Sequence, residues 1–352
     1  MNKQTPLFRV VLWLLTALLV AWAARQTSLT AVWRILRTVS VSQLFLWIGL
    51  NLLIIGTLVG RWWLILHGMG KAVPFWQMLA YRQAGFAVSL FTPGPQFGGE
   101  PVQVLLLTRR HGLPARVAIA GVTVDRLLEL VVNLAFLAGG LWLVLDGGLL
   151  GNLGGWKTAV FSLLPLTFPL FYLIGLGANH QPITRLLLPF KRWLPVTWLR
   201  VIMQAEREAS LFCRQQPMYF AGAVSASLIA WGCIVAEFGL LFHMLGATLS
   251  PVAVVSLLVV MRVALLLPLP GGLGSVEAGL VWAMSMLGGE TAVVLSALLL
   301  FRLRDLISGG IGLWLVNRLL LFPAKSFTLS PSGSSSPGPV LPTLHKHEEE
   351  EI

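Results

Sequence analysis

The chain has 352 residues, of which 56% are hydrophobic and only 11% are charged, and its mean hydropathy is +0.81. A soluble domain carries about 25% charged residues, so this composition excludes an ordinary cytosolic enzyme and a disordered chain. The net charge of +11 does not indicate nucleic-acid binding, because the basic residues lie mainly between apolar segments, where they set membrane orientation. The composition predicts an all-α, polytopic helical membrane protein.

Eight apolar segments are long enough to cross a hydrocarbon layer about 30 Å thick. Two shorter segments, 98–111 and 272–288, follow breaks rich in Pro and Gly and cannot cross alone at about 1.5 Å per residue. The stretch 179–217 is predicted to be the main hydrophilic loop. The predicted spans are 7–24, 41–60, 75–92, 117–145, 157–178, 218–243, 250–268 and 292–317.

The chain divides into two predicted regions. We expect residues 1–325 to form one integral membrane domain. Residues 326–352 are rich in Ser, Pro and Gly and end in an acidic run, a composition typical of a disordered tail.

The two short segments belong to an internal repeat, with copies at about 75–145 and 250–320. In each copy a glutamate lies seven positions after a proline, an arginine lies fourteen positions after a glycine, and an acid lies three positions after that arginine. These residues are Pro93, Glu100, Gly112, Arg126 and Glu129 in the first copy, and Pro270, Glu277, Gly288, Arg302 and Asp305 in the second. Because charged residues are rare in this chain, the matching spacings predict a true repeat.

Counts of Lys and Arg predict the orientation. If the N-terminus is cytoplasmic and each broken segment carries the chain across, fifteen basic residues, Arg61 among them, lie inside and four outside. If the broken segments return to the side they entered from, the best split is twelve against seven. The first arrangement is favoured. It places both termini in the cytoplasm and gives the repeats opposite orientations, as in many secondary transporters.

Eleven charged residues lie within or against apolar segments, where an ionised side chain costs about 2.5–3.5 kcal/mol. They therefore need mutual pairing, a wet cavity or a function. They are Glu100, Asp125, Glu129, Glu237, Glu277, Asp305, Arg82, Arg126, Arg262, Arg302 and Arg304. Spacing of i,i+3 predicts that Arg126 pairs with Glu129 and Arg302 with Asp305. Each pair is interpreted either as an ion pair that holds helices together or as part of a substrate site.

The other acids have other predicted partners. Asp125 points about 100° away from Arg126 around the helix, so a different residue must pair with it, and Arg82 is the candidate. Glu100 and Glu277 each open a short helix, where a carboxylate caps free backbone N–H groups. The alternative is that the same helix starts bind an anionic headgroup together with the neighbouring arginines. Glu237 is read as a hydrogen-bonded structural carboxyl or as a proton site.

The candidate headgroup site comprises Arg82, Glu100, Asp125, Arg126, Glu129, Glu277, Arg302, Arg304 and Asp305. The predicted helix-breaking glycines are Gly94, Gly98, Gly99, Gly271, Gly272 and Gly274. No catalytic residue, cofactor or metal site is predicted, because neither the histidines nor Cys213 and Cys233 have metal-ligand spacing. The Gly-rich stretches do not follow strands, so they do not indicate nucleotide loops.

With these motifs the sequence resembles the lysylphosphatidylglycerol synthase transmembrane-region family, also described as flippase-like membrane proteins. The matching stretches are 91–130 and 267–312. The family pattern corresponds here to Gly99, Glu100 and Pro101, to Asp125 and Arg126, to Pro270 through Glu277, and to Arg302. The resemblance implies lipid translocation. In bacterial aminoacyl-phosphatidylglycerol synthases a related region moves the modified lipid between leaflets, and other members accompany hopanoid or glycolipid pathways.

The leading hypothesis is a flippase-like protein of the bacterial inner membrane that moves an anionic phospholipid, or an isoprenoid- or hopanoid-type lipid, between leaflets. No synthase activity is expected, because that activity needs a soluble transferase domain and a short polar tail follows the last predicted span. The alternatives are a membrane-embedded transferase that uses the same acids as general base, and an accessory subunit of a lipid-biosynthesis pathway. Enzymes of such a pathway are candidate partners.

Overall fold

The computed structural model describes residues 29–91, 98–147, 156–190, 196–267, 269 and 272–321. The described residues form helices and no strand, which confirms the all-α prediction. The helices are α1 (Leu29–Thr38), α2 (Val41–Gly68), α3 (Phe75–Phe91), α4 (Glu100–His111), α5 (Ala115–Gly147), α6 (Trp156–Gly177), α7 (Pro182–Leu187), α8 (Val196–Gln215), α9 (Pro217–Met244), α10 (Pro251–Leu265), α11 (Ser275–Met286) and α12 (Thr291–Leu321). A 3-10 turn, Leu188–Phe190, follows α7.

Seven of the eight predicted spans coincide with helices, namely α2, α3, α5, α6, α9, α10 and α12. Three of them, α2, α5 and α9, are long and apolar enough to cross a membrane within the described part of the chain. Helices α3 and α10 have 17 and 15 residues. The predicted span 7–24 and the predicted tail 326–352 lie outside the described residues, so the count of eight spans stays a prediction.

Local sequence signals set the helix boundaries. Ser40 caps α2 by accepting the N–H of Gln43 at 3.3 Å, and the Gln43 side chain accepts the N–H of Ser40 at 3.1 Å. This reciprocal pair satisfies two backbone donors that the first turn leaves free. Helices α9 and α10 each begin with a proline, which is favoured there because the first turn needs no N–H from it.

The prediction of one hydrophilic loop over 179–217 is wrong, because α7 and α8 occupy most of it. Helix α8 is amphipathic and packs against α5, with Ala205, Ala209 and Phe212 buried. Mean hydropathy hides such a helix, since its polar and apolar faces cancel. Glu206 of α8 is also buried, and its carboxylate accepts the N–H groups of Ile183 and Thr184, both at 2.9 Å, at the start of α7.

The two predicted repeat copies have the same order of elements. The first contains α3, a break, α4 and α5, and the second contains α10, a break, α11 and α12. The long helix of each copy packs against the first helix of the other, α5 against α10 and α12 against α3. Helix α2 packs along α9. Both copies therefore contribute to one central region, in which the charged residues lie.

Apolar side chains cover much of the outer surface, whereas ionised groups lie inside. Phe168, Phe171 and Leu306 are about 70% exposed, while Arg61 and Asp125 are each 1% exposed. In water this distribution would expose large apolar patches and bury charges. In lipid it is the favourable arrangement, because the outer faces contact acyl chains and polar groups find partners inside.

Candidate functional site

Glycines shape the ends of both breaks that precede the short helices. Gly98, Gly272 and Gly274 have φ of 127°, 64° and 84°, a region that residues with a Cβ disfavour. Gly99 is needed for space, because a Cβ there would collide with the backbone carbonyl of Gly85 on α3. Three of these glycines therefore supply a backbone conformation that other residues disfavour, and Gly99 supplies space. The other two predicted glycines, Gly94 and Gly271, lie outside the described residues.

The glutamates that open the two short helices make matching contacts. Glu100 Oε2 accepts the N–H of Gly98 at 2.8 Å, and Glu277 Oε2 accepts the N–H of Gly274 at 2.7 Å. The second oxygen of each carboxylate contacts the arginine of the following long helix. Glu100 Oε1 lies 3.0 Å from Arg126 Nε, and Glu277 Oε1 lies 2.6 Å from Arg302 Nη2. The predicted capping is confirmed for Glu277, which accepts the N–H of the N-cap residue Gly274, whereas Glu100 accepts an N–H that precedes its helix. Each glutamate also forms an ion pair that ties a short helix to a long one.

A first charge cluster lies where α2, α3 and α5 meet. Asp125 pairs with Arg61 at 2.6 Å and with Arg82 at 3.0 Å, which confirms the candidate partner and adds a second one. Glu129 accepts from Arg61 at 2.8 Å and lies 3.2 Å from both Arg82 and Arg126. The predicted pair of Arg126 with Glu129 is thus confirmed, within a network that joins three helices. With Glu100, the cluster balances three carboxylates against three arginines.

Arg61 is the member of this cluster that the sequence prediction assigned wrongly. The predicted span ends at residue 60, which places Arg61 in a loop. Helix α2 instead continues to Gly68, and the apolar run WWLIL after Arg61 is the signal for this continuation. Arg61 is therefore a buried ion-pair residue, and its charge does not count toward membrane orientation.

A second charge cluster lies between α2, α9 and α12. Arg304 Nη2 pairs with Asp305 Oδ1 at 3.0 Å, and Arg304 Nη1 pairs with Glu237 Oε1 at 3.2 Å. Glu237 also accepts from Trp47 Nε1 at 2.8 Å and from the Asn51 amide at 3.4 Å, as expected of a hydrogen-bonded structural carboxyl. Asp305 therefore pairs with the adjacent arginine. The predicted pairing with Arg302 is corrected, because Arg302 extends to Glu277 on α11 instead.

Two adjoining cavities connect these clusters. The first, which we call the apolar groove, has a volume of about 870 Å³ and runs between α4, α5 and α10. Aliphatic side chains such as Val104, Ile119 and Leu266 form most of its wall, and Glu100 and Arg126 lie at its charged end. The second, which we call the polar cavity, has a volume of about 340 Å³ and includes the Arg304 cluster in its wall.

The apolar groove and the polar cavity share a wall. The residues that line both are Arg126, Glu129, Asn133, Arg262 and Leu265. A molecule lying across this wall would have its apolar part among aliphatic side chains and its polar part among arginines and carboxylates. Such a pair of environments matches the two ends of a lipid.

Seven of the nine predicted headgroup residues line a cavity, and two do not. Those that do are Arg82, Glu100, Arg126, Glu129, Arg302, Arg304 and Asp305. Asp125 is held behind the wall by Arg61 and Arg82, and Glu277 by Arg302 and the backbone of α11. These two carboxylates therefore act as links between helices. Arg262 and Asn133, which the predicted set omitted, lie on the shared wall.

Comparison with known proteins gives one family and no individual relative. No curated protein and no solved structure matches the chain significantly. The family described as the lysylphosphatidylglycerol synthase TM region matches residues 8–311, a stretch that contains both charge clusters, both breaks and every described residue of the two cavities. This match covers most of the chain and agrees with the resemblance seen in its motifs. The chain belongs to the lysylphosphatidylglycerol synthase TM region family of membrane proteins.

Proposed function

We propose that this chain is a flippase-like transport protein that moves an anionic lipid between the leaflets of a bacterial inner membrane. The observation that carries the proposal is the wall shared by the apolar groove and the polar cavity. A lipid headgroup cannot cross the hydrocarbon layer without partners, since unpaired polar groups in hydrocarbon cost several kcal/mol. A charged cavity beside an apolar groove lowers this cost while the chains stay in an apolar environment.

The proposed mechanism uses the two short helices, α4 and α11, as the moving parts. Each of them is tied to its long helix by one glutamate–arginine pair, Glu100 with Arg126 and Glu277 with Arg302. An anionic headgroup that binds either arginine competes with the glutamate for it, which loosens one short helix. Repeats of opposite orientation, with both chain termini in the cytoplasm, would expose the cavity to each leaflet in turn.

In this proposal the protein moves the lipid without changing it chemically. The alternative of a membrane-embedded transferase uses the same carboxylates as general base and predicts a product of changed mass. Mass spectrometry of lipids after incubation with purified protein distinguishes the two. The further alternative, an accessory subunit of a lipid pathway, predicts neither transfer nor a new product by the isolated chain.

The test is transfer of a fluorescent anionic phospholipid across proteoliposome membranes, read by a quencher that reaches the outer leaflet only. We expect Arg126→Ala and Arg302→Ala to abolish transfer, because each variant removes the arginine that pairs with the glutamate of one short helix. Membrane insertion should stay normal. Arg116→Ala is the matched control, since Arg116 is exposed, pairs with Glu208 and lines neither cavity. Full transfer by both variants would refute the assignment of the site.

A further inference from the structure

Arg262 of α10 is an arginine with no carboxylate partner. Among the described residues, none places a carboxylate oxygen within 4.0 Å of its guanidinium, and its Nε is buried without a hydrogen-bond partner. Its guanidinium lies 4.8 Å from the ring centre of Trp231 on α9. Stacking of this kind holds the cation in place and leaves its N–H donors free.

The position of Arg262 distinguishes it from the other arginines of the two clusters. It lines both the apolar groove and the polar cavity. Arg61, Arg82, Arg126, Arg302 and Arg304 each pair with at least one carboxylate at 3.2 Å or less. Arg262 is only partly exposed and has no carboxylate within ion-pair distance, so its charge is poorly compensated, and an arginine kept in this state indicates a partner that comes from outside the chain.

Asn133 provides a second observation on the same wall. Its Oδ1 is buried and has no hydrogen-bond partner among the described residues, and it too lines both cavities. Buried polar atoms in folded proteins are nearly always satisfied, and an unsatisfied one calls for an explanation such as a missing ligand. Arg262 offers donors and Asn133 an acceptor, which is the combination that binds a phosphate carrying a hydroxyl or amino group.

We infer that Arg262, stacked on Trp231, binds the phosphate oxyanion of a phospholipid whose acyl chains lie in the apolar groove. Asn133 accepts a hydrogen bond from a hydroxyl or amino group of the same headgroup. The inference rests on the proposed lipid transport and names the residue that holds the charged group of the lipid. The apolar walls on one side of Arg262 favour a lipid over a free anion, because a free phosphate would leave the groove empty.

The test uses the full chain in detergent and native mass spectrometry, with three probes. Dioctanoyl phosphatidylglycerol carries chains and phosphate, dioctanoylglycerol lacks the phosphate, and inorganic phosphate lacks the chains. We expect Arg262→Gln to weaken phosphatidylglycerol binding at least about tenfold, since a charge-assisted hydrogen bond is lost. Binding of dioctanoylglycerol should be the same in wild type and variant. Inorganic phosphate binding as tightly as the phospholipid would overturn the lipid part of the inference.

A matched control and a stability measurement separate binding from folding. Arg318→Gln removes another arginine stacked on a tryptophan, Trp314, but at an exposed position outside both cavities, so lipid binding should not change. Without added lipid, Arg262→Gln should unfold at the same temperature as wild type or higher, because it removes a partly buried charge that has no ion-pair partner. A lower unfolding temperature together with weaker dioctanoylglycerol binding would assign Arg262 a structural role and overturn the inference.

The inference and the proposed function fail in different ways. Phosphatidylglycerol binding by Arg262→Gln at wild-type affinity overturns the inference, whatever the transfer assay gives. Arg262-dependent binding by a wild-type protein that transfers no lipid supports the inference and refutes transport. Asn133→Leu is an independent test of the same site. This variant should bind phosphatidylglycerol more weakly than wild type does. Its binding of a phospholipid whose headgroup has no N–H or O–H donor should be unchanged.

Discussion

At the residue scale, burial separates charges that hold the fold together from charges that face a cavity. Arg61 contacts Asp125 and Glu129 on α5 and Ser227 on α9, so one side chain joins three helices. It lines neither cavity. Breaking such a pair leaves a buried charge without its counter-ion, which costs far more than the intact pair contributes.

We therefore expect Arg61→Gln to lower the free energy of unfolding by about 3–5 kcal/mol. The measurement is unfolding of the detergent-solubilised protein by titration with a denaturing detergent. The control is Arg116→Gln, which breaks an exposed ion pair and should cost less than about 1 kcal/mol. Similar losses in both variants would contradict a structural role that is particular to Arg61.

At the element scale, close contact between α3 and the first break fixes where the short helix α4 begins. Gly99 has an ordinary φ of −82°, so its requirement for glycine comes from space and not from backbone conformation. The backbone of Gly85 occupies the position that a Cβ of residue 99 would need. Helix α4 starts at the next residue, Glu100, which must pair with Arg126.

Gly99→Ala should thus push α4 away from α3 and weaken the Glu100–Arg126 pair. We expect a loss of about 1–3 kcal/mol of stability, as for other overpacked sites, together with slower lipid transfer. Gly139→Ala on α5 is the control, because a Cβ there meets open space. Wild-type stability and transfer in Gly99→Ala would show that this close contact is not required.

A second prediction at the element scale concerns α8, which lies outside the predicted spans. Burial raises the pKa of the Cys213 thiol to about 11, so at pH 8 almost none of it is the reactive thiolate. In a Cys233→Ala background we expect maleimide to label Cys213 about a hundredfold more slowly than the unfolded chain at pH 8. The rate should rise as the pH approaches 11. Equal rates for folded and unfolded protein would place this face of α8 at the surface.

At the scale of the whole molecule, the packing of the two copies against each other creates the cavities. Because α5 packs on α10 and α12 on α3, residues from both copies line the polar cavity. Neither copy alone contains the wall that carries Arg126 and Arg262. Transport in the proposed form needs both the apolar groove and this wall.

Filling the apolar groove should stop transfer without disturbing the charges. Thr123 of α5 lines the groove, and Thr123→Trp places an indole one helical turn from Arg126. We expect transfer to fall at least about tenfold, because the lipid chains lose their apolar path. Leu306→Trp, on the exposed face of α12, should transfer lipid normally. Unchanged transfer in Thr123→Trp would show that the groove is not the route.

The amino-acid sequence is sufficient to predict the all-helical membrane class, most helix positions, the two breaks, the glutamates at the starts of the short helices and the family. These follow from local properties, namely hydropathy over about 20 residues, glycine and proline positions, and i,i+3 spacing. Such signals act within one helix, which is why the Arg126–Glu129 pair could be predicted. Averaging over the same windows hid the amphipathic α8.

Which charges meet across helices becomes evident only in the folded chain. The sequence predicts Arg61 in a loop and Arg302 paired within its own helix, and it predicts no partner for Arg262. In the folded chain Arg61 lies beside Asp125, Arg302 beside Glu277, and Arg262 on the wall between the two cavities. Contacts between helices depend on how each helix is rotated and shifted against its neighbours. That arrangement is the combined result of packing along all the helices, so no single stretch of sequence specifies it.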